Sequence, residues 1–267
     1  MKTGTEKTKK GSYLSDLDGK LLNKEFVLQL IDRDLLKFIA LILMTLGHWA
    51  LDIYAVIPSK PLLQFFIAAQ YFAPPVFFFF ISEGFQYTSS KSKYMIRLLI
   101  FAVITQIPHS LTQPGGLTLY DLFLGWSVLM TLFLGLAALT VLHCEWKLPL
   151  RLLTIAALTA VSRVLNCEWA VSGIIIMLLF DLLRDKPLLR LASYTVLMLA
   201  VIGVTVGHFP DTAVFLRYLL PVWSAGVVIT FFYNGRKGRF PLFSKYFFYI
   251  WYPLHLLLQY LFQMISG

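Results

Sequence analysis

Apolar residues gather into nine stretches, at 35–57, 62–82, 94–109, 121–142, 149–165, 169–183, 188–207, 213–232 and 244–265, divided by short polar or basic connections. A helix rising about 1.5 Å per residue needs roughly 20 apolar residues to cross a hydrocarbon core about 30 Å thick. The pattern therefore predicts an all-α, polytopic transmembrane helical bundle of about nine spans, with eight and ten as the bounds. The stretches at 149–165 and 169–183 are short, and a re-entrant hairpin made of both would change the count without changing the class. Two regions are expected. Residues 1–33 form a polar tail with Lys2, Lys7, Lys9, Lys10, Lys20 and Lys24, ending in a segment (Phe26, Val27, Leu30, Ile31) suited to an interfacial turn of helix; residues 34–267 form one transmembrane domain.

Composition places the chain in lipid rather than water: 58% of residues are hydrophobic and only 14% charged, against about a quarter charged in soluble domains. A formal charge of +9 taken alone would suit nucleic acid, but its distribution assigns it to topology. With the N-terminus in the cytoplasm, 20 of the 23 basic residues fall on the inner side, and only Lys60, Arg163 and Arg217 fall outside. That split predicts a multi-pass membrane protein with its N-terminus in the cytoplasm, in contact with membrane lipid and not with nucleic acid. Cys144 and Cys167 have no paired metal spacing, so neither a disulfide framework nor a structural zinc site is expected.

Ionisable groups at membrane depth are costly and need a partner or a task. His48 falls about 20 Å into the core on the first helix, and Asp52 follows at i+4, where it reaches the same side. The pair fits a general base with its orienting carboxylate, or a structural hydrogen bond beside an interfacial aspartate. His109 and His208 lie near outer helix ends and His255 lies midway along the last helix, so four of five histidines share the outer half. Glu83, in Ser82-Glu83-Gly84-Phe85 at the inner end of the second stretch, suits pairing with Arg97, a ligand head group or solvent. Glu168 opens the sixth stretch on the outer side near Arg163, as an ion-pair partner or a catalytic carboxylate. The inner loop Tyr233-Asn234-Gly235-Arg236-Lys237-Gly238-Arg239 joins a turn-forming Asn-Gly to three cations, a combination that serves topology or holds a phosphorylated ligand.

Four blocks between Leu36 and Leu256 resemble the TraX family of membrane proteins. The first runs from Leu36-Lys37-Phe38-Ile39-Ala40 through Met44 to Gly47-His48, with Gly47 where the family carries aspartate. The second is Phe77 to Thr88, followed by Lys93-Tyr94, Arg97 to Ala102 and Gln106-Ile107-Pro108. The third is the apolar run Val128 to Leu136, preceded by Ser127 where the family usually has asparagine. The fourth joins Tyr233-Asn234-Gly235-Arg236-Lys237-Gly238 to Lys245-Tyr246-Phe247-Phe248-Tyr249 and Tyr252-Pro253-Leu254-His255-Leu256. Glu168-Trp169 with Gly173 is similar to the family's Asp-Tyr-Gly region.

The family takes its name from a conjugation protein required to acetylate the amino terminus of F-type pilin. The resemblance therefore implies a membrane acetyltransferase that moves an acetyl group from cytoplasmic acetyl-CoA to an amine or hydroxyl acceptor. Arg236, Lys237 or Arg239 would contact the coenzyme diphosphate, with Asn234, Glu83 and Arg97 beside it. His48 would deprotonate the acceptor, with Asp52 replacing the aspartate absent at Gly47. Gln106, Glu168 or His255 would polarise the carbonyl or hold the acceptor, which is a pilin-like peptide, a glycan or a lipid. No metal is implied. A transporter lined by His48, Asp52 and Glu83, or a non-catalytic assembly factor, are the alternatives from other classes.

Overall fold

The computed structural model describes residues 30–53, 59–113, 116–205, 212–239 and 241–266. The tail before residue 30, His208 and the Lys245 side chain lie outside the described residues. The expected helices are present: α1 (Arg33–Trp49), α2 (Lys60–Ala69) running through a 3-10 turn into α3 (Ala73–Tyr87), α4 (Lys91–Leu111), a short α5 (Leu119–Phe123), α6 (Val128–Leu142), α7 (Leu148–Val164), α8 (Ala170–Leu182), α9 (Pro187–Thr205), α10 (Thr212–Phe231) and α11 (Pro241–Ser266). Five of the helical stretches, 60–87, 91–111, 119–142, 187–204 and 212–231, are long and apolar enough to cross a membrane, and the chain is a multi-pass membrane protein.

Local chemistry sets several helix starts. The Asp32 carboxylate accepts the Leu35 N–H at 2.8 Å to begin α1, while Ser59 and Ser90 cap α2 and α4 in the same way. Asp52 was expected one further turn along the first helix, but α1 ends at Trp49 and residues 51–53 form a turn.

Helices α6 and α8 are apolar all round and lie at the centre with α3, where Phe78, Leu136, Leu139, Ile174 and Met177 are fully buried. Small residues bring these helices together: Gly135 lies against Met177, and Gly173 against Thr131 and Phe78. By contrast α7 exposes Leu148, Leu152, Leu153, Val161 and Val164 and buries only Ser162, the composition of a lipid-facing helix. The bundle has two distinct ends. At the basic end the Tyr233–Gly238 loop is joined to the start of α1, with Ile31 N–H donating to Phe232 O, Asn234 N–H to Ile31 O and Arg33 N–H to Arg236 O, each at 3.0 Å. At the opposite end Gly125 N–H donates to Leu165 O at 2.9 Å and Glu168 N–H to Trp126 O at 2.8 Å.

These ties set α6, α7 and α8 side by side, with α7 and α8 over the region 149–183. The beginning of α6 is joined to Glu168 just ahead of α8, and its far end at His143 is joined to Asp181 near the end of α8. The two helices therefore cover the same height. Arg151 donates to Leu142 O at the basic end, and Leu165, just past the end of α7, accepts the Gly125 N–H at the other, so α7 runs over the same height.

Gly47 lies where α1 meets the α2–α3 junction. A Cβ there would fall 2.4 Å from Gln70 Cβ and 2.8 Å from Phe66 O, so the family's aspartate has no room at this position. Gly47→Ala is expected to cost about 1–3 kcal/mol as an overpacking change, and Gly47→Asp more. A lower thermal midpoint in detergent for both variants, larger for aspartate, is the check.

Candidate functional site

A cavity of about 650 Å³ enters from the basic end among α1, α3, α4, α11 and the Tyr233–Gly238 loop. That volume falls within the roughly 300–1,000 Å³ usual for ligand pockets. Its mouth carries Arg33, Lys37, Arg97 and Lys237, and its deep end is formed by Met44, Val128, Leu129 and Tyr252. Lys37 stands over the rings of Phe80 and Phe248 at 4.9 and 5.6 Å, and Arg97 over Tyr94 and Tyr249 at 5.4 and 5.7 Å. Cation–π contacts hold both charges without neutralising them. Three buried polar atoms on this wall, Asp34 Oδ2, Arg97 Nε and Ser244 Oγ, have no partner among the described residues. Unpaired buried polar atoms are costly, and their convergence on one cavity makes it a candidate ligand site.

The structure redistributes the residues expected to bind a phosphorylated ligand. Glu83, open in the sequence to Arg97, a ligand head group or solvent, lines the cavity and accepts from the Tyr233 hydroxyl at 2.7 Å, with Arg33, Lys37 and Arg190 as the neighbouring charges. Burial and the Glu83 charge push the Tyr233 phenol well above its ordinary range, so it remains a donor. Asn234 is not among the residues lining the cavity: its Oδ1 accepts the Arg236 N–H at 2.8 Å and, with Gly235 at φ +70°, shapes the turn. Of the loop's three cations, Lys237 lines the cavity, whereas Arg236 and Arg239 are exposed outside it.

A second cavity of about 310 Å³ opens at the opposite end, lined by His109, Gln113, Tyr120, Asp121, Gly125, Asn166, Cys167 and Glu168. Glu168 is held by every polar group it has. Its N–H donates to Trp126 O at 2.8 Å, its carbonyl accepts from Thr131 Oγ1 at 2.5 Å, Oε1 meets His109 Nε2 at 3.3 Å, and Oε2 accepts the Val128 N–H at 3.0 Å. Flanking residues Asn166 and Trp169 adopt positive φ, 50° and 59°, strained values for side chains with a Cβ. Burial pushes the Glu168 carboxyl up, but the His109 and Val128 hydrogen bonds outweigh it and hold the group below its ordinary value. Cys167, by contrast, is pushed up to about 11 by burial and remains a thiol.

A carboxylate only accepts, so His109 Nε2 carries the hydrogen toward Glu168, and Nδ1 is buried with no hydrogen-bond partner among the described residues. This is the imidazole–carboxylate dyad expected of His48 and Asp52. Those two do not form it: Asp52 accepts from Gln259 at 2.6 Å and Gln263 at 2.9 Å, and Gln259 also donates to the His48 carbonyl at 2.9 Å. Nor does Glu168 pair with Arg163, which reaches Asn166. Gln106 donates to Asp121 O at 2.6 Å and to Gly125 O at 3.3 Å, securing the segment around α5. His255 donates Nδ1–H to Trp251 O at 3.1 Å, leaving Nε2 buried and unpartnered, and its ring lies 5.4 Å from that of His48 and 5.3 Å from that of Tyr252.

Val128 joins the two cavities. It lines the deep end of the first, and its N–H binds the carboxylate that lines the second. In the sequence Lys37 stands among the inner basic residues and in the first family block, and His109 near an outer helix end. A signal for Lys37 was present: it precedes His48 by 11 residues, three helical turns, so both share a face about 16 Å apart. Nothing in the sequence brought His109 to Glu168, 59 positions away.

Among known proteins, the family model described as TraX protein matches residues 32–263. A relative from Dichelobacter nodosus, named as probable fimbrial assembly protein FimC, serogroup H1, is 30% identical over 196 residues, covering 69% of this chain and 77% of that protein. No solved structure matches.

Proposed function

We propose, since this chain belongs to the TraX family, that it is a membrane acetyltransferase of the bacterial inner membrane acting in pilus or fimbrial assembly. It takes an acetyl group from acetyl-CoA at its basic, cytoplasmic end and delivers it to an amine or hydroxyl acceptor at the other. The observation that carries this reading is the meeting of two cavities, entering from opposite ends, on either side of the Val128 N–H···Glu168 hydrogen bond.

The inner cavity suits the coenzyme. Arg33, Lys37, Arg97 and Lys237 would take the phosphates, and the acyl arm would run along α1 from Lys37 toward His48. The acceptor would enter the outer cavity. Its nitrogen or oxygen attacks the thioester carbonyl carbon, and its proton passes to His109 Nδ1, which Glu168 orients. Collapse of the tetrahedral adduct breaks the carbon–sulfur bond, and the departing sulfur takes up a proton as coenzyme A thiol. His48 and His255 flank the acyl end and position it. The name of the D. nodosus relative, a probable fimbrial assembly protein, supports a fimbrial role, in which a pilin-like amino terminus is the acceptor; a glycan or lipid would use the same steps.

Proteoliposomes supplied with acetyl-CoA on the basic face and a peptide amine on the other test the reading. Thiol release that depends on the acceptor, with acetylated peptide seen by mass spectrometry, is the expected result. A folded protein that binds no acetyl-CoA would return the chain to the transporter or assembly-factor class.

A further inference from the structure

Two residues on the wall of the inner cavity, Asp34 and Ser244, play no part in the transfer steps. They are 6% and 2% exposed, and Asp34 Oδ2 and Ser244 Oγ have no partner among the described residues. Helix geometry sets them at one level. Helices α1 and α11 both start at the basic end, since the Tyr233–Gly238 loop that precedes α11 is bonded to the start of α1. Phe38, one turn on from Asp34, packs its ring 5.0 Å from that of Phe248, one turn on from Ser244. Residues i and i+4 share a helix face, so Asp34 and Ser244 stand one turn nearer the mouth than this ring pair. The helix start does not account for Asp34: Asp32 already caps α1, and Asp34 Oδ1 faces Arg33 at 3.4 Å, which leaves Oδ2. A Cβ at Gly238 would overlap the carboxylate, so the bare glycine backbone packs on it and fixes its place.

An ionised carboxylate only accepts hydrogen bonds, whereas a hydroxyl can donate one. Arg33, Lys37, Arg97 and Lys237 at the same mouth suit phosphate, but Asp34 repels it, so a ligand of phosphates alone leaves Oδ2 unpaired at a cost. The ligand that satisfies this wall carries phosphate together with an N–H donor beside an acceptor. The amino edge of adenine presents that pair, its exocyclic amine next to a ring nitrogen. We propose that Asp34 and Ser244 form an adenine subsite at the mouth of the inner cavity, in which Asp34 Oδ2 accepts from the exocyclic amine and Ser244 Oγ–H donates to the adjacent ring nitrogen. The assignment rests on the acetyl-transfer reading and adds the means by which the acyl donor is selected. A thioester borne on an adenine nucleotide satisfies both residues, whereas one borne on the phosphopantetheine arm of a carrier protein leaves them unpaired.

Calorimetry on the purified protein compares three ligands: acetyl-CoA, its analogue with purine in place of adenine, and acetyl-phosphopantetheine, which has no nucleoside. Wild type is expected to bind the purine analogue roughly 10–100-fold more weakly than acetyl-CoA, the loss of one hydrogen bond to a charged group. In Asp34→Ala that preference falls below about threefold. Ser244→Ala weakens acetyl-CoA and the purine analogue alike, by roughly 3–10-fold, because both keep the ring nitrogen. Acetyl-phosphopantetheine gives the opposite sign: taking a negative charge out of a cationic mouth leaves its affinity for Asp34→Ala unchanged or raised. Equal binding of acetyl-CoA and the purine analogue by wild type overturns the subsite and leaves the acetyl-transfer reading intact, whether or not the variants fold. Tighter acetyl-CoA binding by Asp34→Ala overturns it in favour of a counter-charge for Arg33 and Lys37, and equal weakening of all three ligands in that variant overturns it in favour of packing. A folded wild type that binds no acetyl-CoA overturns the functional reading and the subsite with it.

Discussion

His109→Ala is expected to lower acetyl transfer by roughly 10²–10⁴-fold while leaving acetyl-CoA affinity unchanged, because it removes the imidazole that meets a carboxylate at the outer cavity, the proposed base. The Glu168 variant tests the same dyad more sharply. Glu168→Gln keeps the size of the side chain, but an amide has one acceptor oxygen where the carboxylate has two. It must satisfy both the Val128 N–H and the His109 Nε2–H. One of them then faces an amide donor. If that one is His109, the hydrogen moves to Nδ1, and the lone pair needed for proton transfer is lost; a comparable tautomer fault in a serine-protease triad costs about 10⁴-fold. Steady-state rates with calorimetric acetyl-CoA binding decide the matter. Full activity in His109→Ala with none in His48→Ala would return the base to His48.

Lys37→Met should weaken acetyl-CoA binding by roughly 10–100-fold, the equivalent of a charge-assisted hydrogen bond of about 1.5–3 kcal/mol. Lys37 lines the cavity, and its aromatic neighbours hold its charge toward the ligand. Neutralising Arg236 and Arg239 together is expected to change the Kd by less than about threefold, since an exposed charge outside the cavity is screened by water and salt. Calorimetry on the two variants beside wild type separates the possibilities. A larger loss in the Arg236/Arg239 pair than in Lys37→Met would move the phosphate site out of the cavity and onto the loop.

Helix-forming segments were legible in the sequence because lipid imposes a strong rule. Every backbone polar group must be satisfied internally, so apolar stretches of spanning length become helices whatever their neighbours do. The basic loop was legible as a loop for a similar local reason: Asn234 and Gly235 make the turn through one Asx hydrogen bond and one positive φ, both properties of those two residues. Its chemistry was less so. Whether Arg236, Lys237 or Arg239 reaches a ligand depends on where α1 stops the loop, and Ile31, Arg33 and Asp34 lie some 200 positions away in the chain.

The site shows the same division. Sequence order placed Asp52 at i+4 from His48, which is a partner only if the helix continues; it ends at Trp49, and two glutamines of α11 take the carboxylate. Glu168 stood near Arg163 in the chain, but the turn through Asn166 and Trp169 directs it to His109 and Val128 instead. By itself, then, the sequence determined a polytopic all-helical membrane protein, which segments form its helices, its basic end and its family, because hydrophobic length, charge asymmetry and motif spacing act locally along the chain. Only the tertiary structure decided which carboxylate meets which imidazole and which cations face a cavity. Those pairings depend on helix ends and crossings, which are set by packing between residues far apart in the chain.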